Sequence, residues 1–360
     1  MNDKKAYLVL SDGAVFEGAA FGAPAESVGE LVFTTGMCGY IETLTDPSYA
    51  GQIVMQTFPL IGNYGVIEED FEGKCAVKGY VVREYCAHPS NFRCDYDLDA
   101  FLRARGVPGI CGVDTRALTR LIREKGVMNA MICSAPPTDL SSIQQYAVSG
   151  AVAAVSRRER VSVPAAGGEK FKVALIDYGA KRNIALELQK RGCRVEIFPY
   201  DVTAEEILLS DSDGIMLSNG PGDPAENTGC IAELKKLMGK KPVFGICLGH
   251  QLLALAAGGG TYKLKYGHRG VNQPVRELDG TRTFITSQNH GYAVDSQSLA
   301  GLGRVIFENA NDGTCEGVEY PGRDCFSVQF HPEARSGPHD TEFLFDRFIS
   351  MMEERKNAEG

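Results

Sequence analysis

The sequence predicts an α/β protein of two domains: a smaller, β-rich α+β domain in residues 1–133 and an α/β domain with a mostly parallel sheet in residues 171–360. Two observations predict this division. Short apolar runs alternate with glycines and turn residues in the first part, whereas from residue 171 apolar strand-like runs alternate with amphipathic helical segments. Strands that alternate with helices favour parallel pairing with right-handed crossovers. Residues 134–170 are rich in Pro, Ser, Gln and Ala, end in Pro-Ala-Ala-Gly-Gly, and are predicted to be a linker.

The first domain is predicted from a hairpin, several further strands and one helix. Residues 7–16 read as a hairpin because two apolar runs flank an Asp-Gly turn. Residues 114–126 read as a helix, since an aspartate can cap the start, apolar residues recur with helical spacing and a glycine can end it. Further strands are predicted at 29–35, 52–57 and 76–82.

The second domain is predicted from four strands that alternate with helices, a later strand that ends at residue 330, and a final helix. Residues 172–177 form a continuous apolar run, which is typical of a strand buried on both faces. Thr203 and Glu206 have the spacing of a capping box and mark a helix start. The other predicted strands are 194–198, 214–218 and 242–246, and the predicted helices are 183–192, 203–209, 229–238, 250–257 and 340–354.

Composition excludes several classes of function. The chain has 360 residues, 44% of them hydrophobic and 23% charged, which is ordinary for a globular protein. The formal net charge of -9 argues against general nucleic-acid binding. No apolar run approaches the length of a membrane span, and the charged start lacks the apolar core of a signal peptide. The 11 cysteines are scattered without C-x-x-C spacing, so no metal site is expected, and free thiols in the cytoplasm are predicted.

The most informative motif is Phe-Gly-Ile-Cys-Leu-Gly-His-Gln at residues 244–251, a strand followed by a tight turn and a helix. Glycines on both sides of Cys247 are predicted to let the backbone bend sharply, which forms a nucleophile elbow and presents the thiol at the carboxyl edge of the sheet. The helix N-terminus that follows favours the thiolate and can supply N–H donors for an oxyanion. The other cysteines lack this arrangement and read as structural residues.

A nucleophilic thiol needs a base, and His331 is the best candidate of the six histidines. It follows a predicted strand that ends at residue 330, which places it at the edge where open α/β sheets carry their sites. Glu333 lies two residues further on and can hold the imidazole in one tautomer. Cys247, His331 and Glu333 are therefore predicted to form a catalytic triad.

A third motif, Gly-Pro-Gly-Asp-Pro, begins at Gly220 and follows another predicted strand. This composition is typical of a turn. Its rigid backbone can also direct N–H groups at the site, and Gly222 is predicted to donate the second hydrogen bond to the oxyanion.

These three motifs, in this order, resemble class I (triad-type) glutamine amidotransferases over about residues 171–355. The resemblance implies a doubly wound, flavodoxin-like sheet. It implies that Cys247 attacks the side-chain amide of glutamine, that His331 moves the proton, and that water hydrolyses the glutamyl thioester to glutamate and ammonia. The stretch 287–292 is similar to a second glutamine-binding segment, with a tyrosine where the family usually has phenylalanine. The implied glutamine-binding residues of this domain are Gly220, Gly222, Leu248, Gln251, Asn289, Gly291 and Tyr292.

The first domain narrows the resemblance. Residues 29–37, 43–52, 59–65 and 109–120 look like the small subunit of carbamoyl-phosphate synthetase, so the resemblance spans nearly the whole chain. In that family Ser48 contributes to the glutamine site. The family's small subunit passes ammonia to a large subunit, which makes carbamoyl phosphate from bicarbonate and two ATP for arginine and pyrimidine synthesis.

The absence of two nucleotide-binding motifs implies that a partner chain carries the ATP-dependent chemistry. The sequence has neither a Gly-x4-Gly-Lys-Ser/Thr loop nor a Gly-x-Gly-x-x-Gly motif after a strand. The resemblance therefore implies no cofactor on this chain, with ATP and Mg or Mn on the large subunit. It also implies an ammonia tunnel, a large-subunit interface on the first domain, and heterodimers that can associate further.

Three other interpretations stay open from the sequence. One is the amidotransferase subunit of another synthase, of the anthranilate or GMP type, which would share only the second domain. Another is a free-standing cysteine hydrolase that needs no partner. The third is a non-catalytic relative, which the presence of Cys247, His331 and Glu333 disfavours.

Overall fold

The computed structural model describes residues 4–359 and divides into two compact units, Met1–Ala151 and Val152–Gly360. The division falls inside the segment 134–170 that the composition predicts to be a linker. Part of that segment is regular structure, because residues 161–163 form an antiparallel edge strand of the second unit's sheet. Residues 164–168, the Pro-Ala-Ala-Gly-Gly stretch, form bends and coil without a strand or helix.

The first unit is built on a closed sheet. The strands of this unit are β1 (Lys5–Leu10), β2 (Val15–Gly22), β3 (Ser27–Thr34), β4 (Gln52–Gln56), β5 (Leu60–Ile61), β6 (Gly79–Val81), β7 (Glu84–Tyr85), β8 (Pro108–Cys111) and β9 (Met128–Cys133). The helices are α1 (Tyr40–Thr45), α2 (Leu98–Ala104), α3 (Thr115–Lys125) and α4 (Ser141–Gln144). Seven of the strands close the sheet in the order β1-β2-β8-β6-β4-β3-β9.

The predicted hairpin and helix of this unit are present. The hairpin is β1 paired antiparallel with β2, and Gly13 takes a left-handed φ of 89° in its turn. The helix is α3, and the Asp114 carboxylate accepts a hydrogen bond from the Ala117 N–H at 3.0 Å.

The second unit contains one sheet of ten strands. The strands are β10 (Val161–Val163), β11 (Phe171–Asp177), β12 (Cys193–Pro199), β13 (Gly214–Leu217), β14 (Val243–Ile246), β15 (Thr261–Glu277), β16 (Thr283–Val294), β17 (Arg304–Asn309), β18 (Cys315–Tyr320) and β19 (Cys325–Val328). Their order across the sheet is β10-β12-β11-β13-β14-β19-β18-β16-β15-β17. The helices are α5 (Ala151–Val155), which begins at the unit boundary, α6 (Arg182–Lys190), α7 (Ala204–Leu209), α8 (Thr228–Leu237), α9 (Leu248–Ala257) and α10 (Phe343–Glu359).

The α/β fold class is confirmed, and the sheet is doubly wound around a parallel centre. Strands β12, β11, β13, β14 and β19 pair in parallel, whereas β15 to β18 extend the sheet with antiparallel pairs. Alternate residues of β11 face two separate cores. Helices α7, α8 and α9 cover one face of the sheet, and α6 and α10 cover the other. Both faces of the parallel strands are therefore buried.

Within residues 4–359, no helix combines the length and apolar character of a bilayer span.

Candidate active site

Cys247 occupies a strained turn between β14 and α9. Its φ of 52° and ψ of -101° lie in a region that non-glycine residues rarely adopt, at a cost of about 1–3 kcal/mol. Its side chain is only 2% exposed. As the N-cap of a ten-residue helix, the thiol lies at the positive end of the helix dipole, which favours the thiolate.

The flanking glycines act differently from the prediction. Neither Gly245 nor Gly249 has a positive φ, so they do not supply the bend. They allow close approach instead: a Cβ on Gly249 would lie 2.6 Å from the carbonyl oxygen of Leu217, and one on Gly245 would lie 2.9 Å from Gly249. The strained residue of the elbow is Cys247 itself, and the glycines let α9 pack directly on β13 and β14.

His331 reaches the same edge from the neighbouring strand. Strands β14 and β19 pair in parallel, and the Cys247 N–H continues this pairing with a hydrogen bond of 2.9 Å to the carbonyl oxygen of Val328. The sequence predicts that His331 directly follows its strand. In the structure β19 ends at Val328, so His331 comes three residues after the strand. Its backbone N–H donates to the Ser287 carbonyl oxygen at 2.9 Å, which holds the loop against β16.

Glu333 orients the imidazole of His331. The distance from His331 Nδ1 to Glu333 Oε1 is 2.7 Å, and both side chains are buried. Because a carboxylate can only accept, Nδ1 carries the proton and Nε2 keeps its lone pair. Among residues 4–359, no hydrogen-bond partner engages that buried Nε2. When the ring is neutral, the pair therefore presents an unengaged Nε2 that can take a proton.

Lys181 is a member of this site that the sequence analysis misses. Its Nζ lies 3.6 Å from Glu333 Oε1 and 3.3 Å from His331 Nδ1. Burial raises the pKa of Glu333, but the charges of His331 and Lys181 outweigh burial and hold this pKa below its usual range. Its place in the sequence could have indicated this role. Lys181 lies in the loop after β11, at the same carboxyl edge of the sheet as Cys247 and His331.

Residues 287–292 of β16, here called the β16 segment, join the catalytic candidates together. The Cys247 thiol donates to the Asn289 carbonyl oxygen at 3.6 Å, and the Gln251 amide nitrogen donates to the Tyr292 carbonyl oxygen at 2.7 Å. Gln251 also donates to Gln329 Oε1 at 2.9 Å, so its amide nitrogen is engaged within the protein. A direct contact of Gln251 with glutamine stays a prediction.

The Gly-Pro-Gly loop packs against the elbow. A Cβ on Gly220 would lie 2.4 Å from the Tyr178 carbonyl oxygen and 2.7 Å from Leu248, so glycine is needed for this approach. Gly222 has a φ of 86°. Leu248 is the first residue of α9, and its N–H therefore has no acceptor within the helix. Leu248 and Gly222 remain the candidate oxyanion donors.

Ser48 and Gly291 complete the predicted glutamine-binding set. Ser48 lies in the first unit, in the short 3-10 helix Pro47–Tyr49, where its N–H donates to the Asp46 carboxylate at 2.9 Å. Gly291 lies in β16, where a Cβ would meet the Arg269 guanidinium at 3.2 Å. Their contacts with substrate stay predictions.

One cluster away from the thiol has the spacing of metal ligands. Single atoms of His268, His290 and Glu316 lie within 4.8 Å of one another. The imidazoles do not suit a metal, which needs a lone pair from each. Both ring nitrogens of His290 face oxygens of the protein, the Tyr292 carbonyl oxygen at 2.8 Å and Gln288 Oε1 at 3.1 Å, so neither is directed at a shared ion. His268 lies between two carboxylates, an environment that favours its protonated form.

Comparison with known proteins assigns a family model to each part of the chain. Residues 174–351 match the family model described as glutamine amidotransferase class-I. Residues 8–132 match the model described as carbamoyl-phosphate synthase small chain, CPSase domain. Among solved structures, a glutamine amidotransferase from Thermotoga maritima aligns with 52% of this chain and 85% of its own, with 17% identity and a TM-score of 0.39.

Full-length relatives identify the family. The carbamoyl phosphate synthase small chain of Clostridium perfringens is 51% identical over 96% of this chain and 99% of its own. Those of Oceanobacillus iheyensis and Listeria innocua are 47% and 48% identical, each covering 99% of this chain and at least 98% of their own. The chain belongs to the carbamoyl phosphate synthase small chain family.

Proposed function

We propose that this chain hydrolyses L-glutamine to glutamate and ammonia and supplies the ammonia to a carbamoyl phosphate synthase large subunit. The observation that carries the proposal is the convergence at one sheet edge of the strained Cys247 and the buried His331–Glu333 pair. Strand pairing alone brings these two motifs to neighbouring positions. Membership in the small chain family supports the choice of substrate and partner.

The proposed chemistry runs in two half-reactions through a glutamyl thioester on Cys247. His331 Nε2 takes the thiol proton as the sulfur of Cys247 attacks the amide carbon of glutamine, and the carbonyl electrons move to an oxyanion near the N–H groups of Leu248 and Gly222. When the C–N bond breaks, His331 returns the proton to the leaving nitrogen, and ammonia departs. Water, deprotonated by His331, then attacks the thioester, and the sulfur leaves to regenerate the thiol.

Glu333 and Lys181 support these proton movements without exchanging atoms with substrate. Glu333 accepts the Nδ1 proton in a hydrogen bond and stabilises the imidazolium that forms when Nε2 is protonated. The Lys181 ammonium keeps Glu333 ionised, so the carboxylate stays an acceptor. Both effects operate in a buried setting where charges interact strongly.

The fate of ammonia follows from family membership. We propose that the large subunit combines it with bicarbonate and two ATP to form carbamoyl phosphate for arginine and pyrimidine synthesis in the cytoplasm. On this proposal ATP and Mg or Mn act on the large subunit, and this chain uses no cofactor. The match of residues 8–132 favours this product over the anthranilate and GMP alternatives.

The proposal is tested by glutamate release with and without the partner. The full chain is expressed alone and together with the large-subunit gene of its source organism, and the purified forms are assayed with glutamine. We expect slow hydrolysis by the chain alone, faster hydrolysis in the complex, and a further increase when ATP and bicarbonate are present. Equal rates in all three conditions would argue for a free-standing hydrolase, and no hydrolysis in any of them would refute the catalytic assignment.

A further inference from the structure

A charged array lies behind the β16 segment, centred on His268 of the adjacent strand β15 and buried except for its member Asp312. His268 faces two carboxylates: its Nε2 is 2.8 Å from Asp312 Oδ2, and its Nδ1 is 3.6 Å from Glu316 Oε1. Glu316 is fully buried and also accepts a hydrogen bond from the Asn309 amide at 2.9 Å. The acids come from β18 and from the turn before it, so the array joins separate parts of the sheet.

The array contacts the β16 segment through His290. The rings of His268 and His290 are 5.0 Å apart in an edge-to-face arrangement, and the two residues are register partners in the β15–β16 pair. His290 in turn contacts Gln288 and the carbonyl oxygen of Tyr292, which is the same carbonyl that accepts the hydrogen bond from Gln251. A displacement of His268 would therefore reach the segment that contacts Cys247 and Gln251.

Strand pairing alone leaves this part of the segment weakly held. Regular pairing runs to Lys263 opposite Tyr292 and resumes at His268 opposite His290, so four residues of β15 bulge opposite Gly291. Within the bulge, Gly267 approaches the segment so closely that a Cβ there would lie 2.4 Å from the His290 carbonyl oxygen. Bulges interrupt the ladder of backbone hydrogen bonds, so side-chain contacts have to fix the local geometry.

The charge state of the array agrees with its geometry. Burial lowers the pKa of His268, but hydrogen bonds and charges from Asp312 and Glu316 outweigh burial and raise this pKa to about 9. The pKa of Asp312 is lowered to about 2, because its hydrogen bonds and the charge of His268 outweigh burial, which acts to raise it. Burial and the neighbouring positive charge hold the pKa of His290 well below its usual range, so His290 stays neutral.

We propose that His268, held between Asp312 and Glu316, is a positioning residue that fixes the β16 segment for glutamine binding by packing against His290. The inference rests on the proposed glutamine hydrolysis and adds a residue that touches neither thiol nor substrate. It places the control of glutamine affinity on the far side of β16 from the nucleophile.

The pH dependence follows from the groups that face His268, namely Asp312, Glu316 and His290. Because the pKa of His268 is raised, the array is intact below the ordinary histidine range and is lost as pH rises through about 9. Glutamine affinity should therefore weaken above that pH. His290 contributes no charge change in this range, since it is neutral throughout.

The test compares His268→Gln with Arg276→Gln in the full chain assayed with its large subunit. Arg276 is an exposed residue of the same strand that pairs with Glu308, so its loss removes an ion pair outside the array. We expect His268→Gln to raise the KM for glutamine about tenfold with little change in kcat, the signature of lost binding without lost chemistry. Inactivation by 6-diazo-5-oxo-L-norleucine, which must bind as glutamine does, should weaken in parallel, whereas iodoacetamide, which needs only the thiol, should react at the wild-type rate.

Two further measurements keep the proposal falsifiable if His268→Gln does not fold. Asp312→Asn changes a half-exposed member of the array and should raise KM in the same direction. The wild-type KM should rise between pH 8 and pH 10 (about one pH unit either side of the raised pKa), and the rise should be smaller in Asp312→Asn. Wild-type KM values in the folded variants, or a flat wild-type profile, would overturn the positioning role. A wild-type complex that releases no glutamate from glutamine would instead refute the proposed function.

Discussion

Nδ1 of His331 lies 2.7 Å from Oε1 of Glu333, and this contact is sealed from solvent beside the elbow that carries Cys247. Because Lys181 donates towards the same carboxylate, a single acceptor orients two cationic or potentially cationic groups. The imidazole cannot rotate without breaking a buried, charge-assisted contact. The reactive nitrogen is therefore held in place before substrate arrives.

Replacement of Cys247 by Ser should abolish glutamine hydrolysis, with a loss of at least about 10³-fold, because a hydroxyl is a far poorer nucleophile under a single imidazole base. Glutamate release is the measurement. Cys230→Ser is the matched control: this buried α8 thiol donates to the Tyr200 carbonyl oxygen, and burial raises its pKa to about 11, so it is inert. Hydrolysis that survives in Cys247→Ser would show that the nucleophile is misassigned.

His331→Asn and Glu333→Gln should differ in severity. The first removes the base and should cost about 10²–10⁴-fold in kcat/KM, whereas the second leaves an amide that still accepts from Nδ1 and should cost less. Single-turnover glutamate formation measures both. If Glu333→Gln proves as inactive as His331→Asn, Glu333 does more than orient the ring.

Lys181→Met should shift the acid limb of the kcat/KM profile to higher pH. The pKa of Glu333 is held down in part by Lys181, so the carboxylate stays ionised through the pH range in which a glutamate ordinarily titrates. It is protonated, and the ionised form is lost, only as pH falls below that range. Without the ammonium that pKa rises, and the loss begins at a higher pH. Lys190→Met, which removes an exposed ammonium from its pair with the buried Glu187 on α6, is the control. Superimposable acid limbs for wild type and Lys181→Met would show that this lysine does not act on the triad.

Gly249→Ala should damage the elbow, whereas Gly229→Ala should not. The added methyl at residue 249 would lie 2.6 Å from Leu217, so the helix must move, and we expect about 1–3 kcal/mol of destabilisation with loss of activity. Residue 229 lies in α8 with open space around it, so alanine there should stabilise by about 0.4–1 kcal/mol. Thermal unfolding and glutamate release distinguish the two. Wild-type activity in Gly249→Ala would mean that close packing of α9 is dispensable.

The parallel half of the second unit could be predicted because its signals are local. Apolar runs, the Thr203 capping box and the glycine-flanked Cys247 each mark an element within a few residues, and the structure contains the corresponding strands and helices. The side chain of Thr203 accepts from the Glu206 N–H and Glu206 accepts in return, as that spacing predicts.

The antiparallel half could not be predicted in the same way. Strand β15 contains Gly267, Gly270 and Pro274, residues that usually argue against a strand, and its pairing with β16 shifts register twice. Those features are accommodated by bulges that depend on distant partners. Lys181 was missed for a related reason, since only the folded sheet edge brings it to Glu333.

The order of strands in the ten-stranded sheet has a consequence for synthesis of the protein. Strand β19 is the last strand made, yet it occupies the middle of the sheet, between β14 and β18. Until the ribosome has released it, the centre of the domain cannot close, and pairing between elements so far apart along the chain forms late. His331 follows just behind this strand, so a nascent or truncated chain lacks the proposed base of the thiol until the domain is complete.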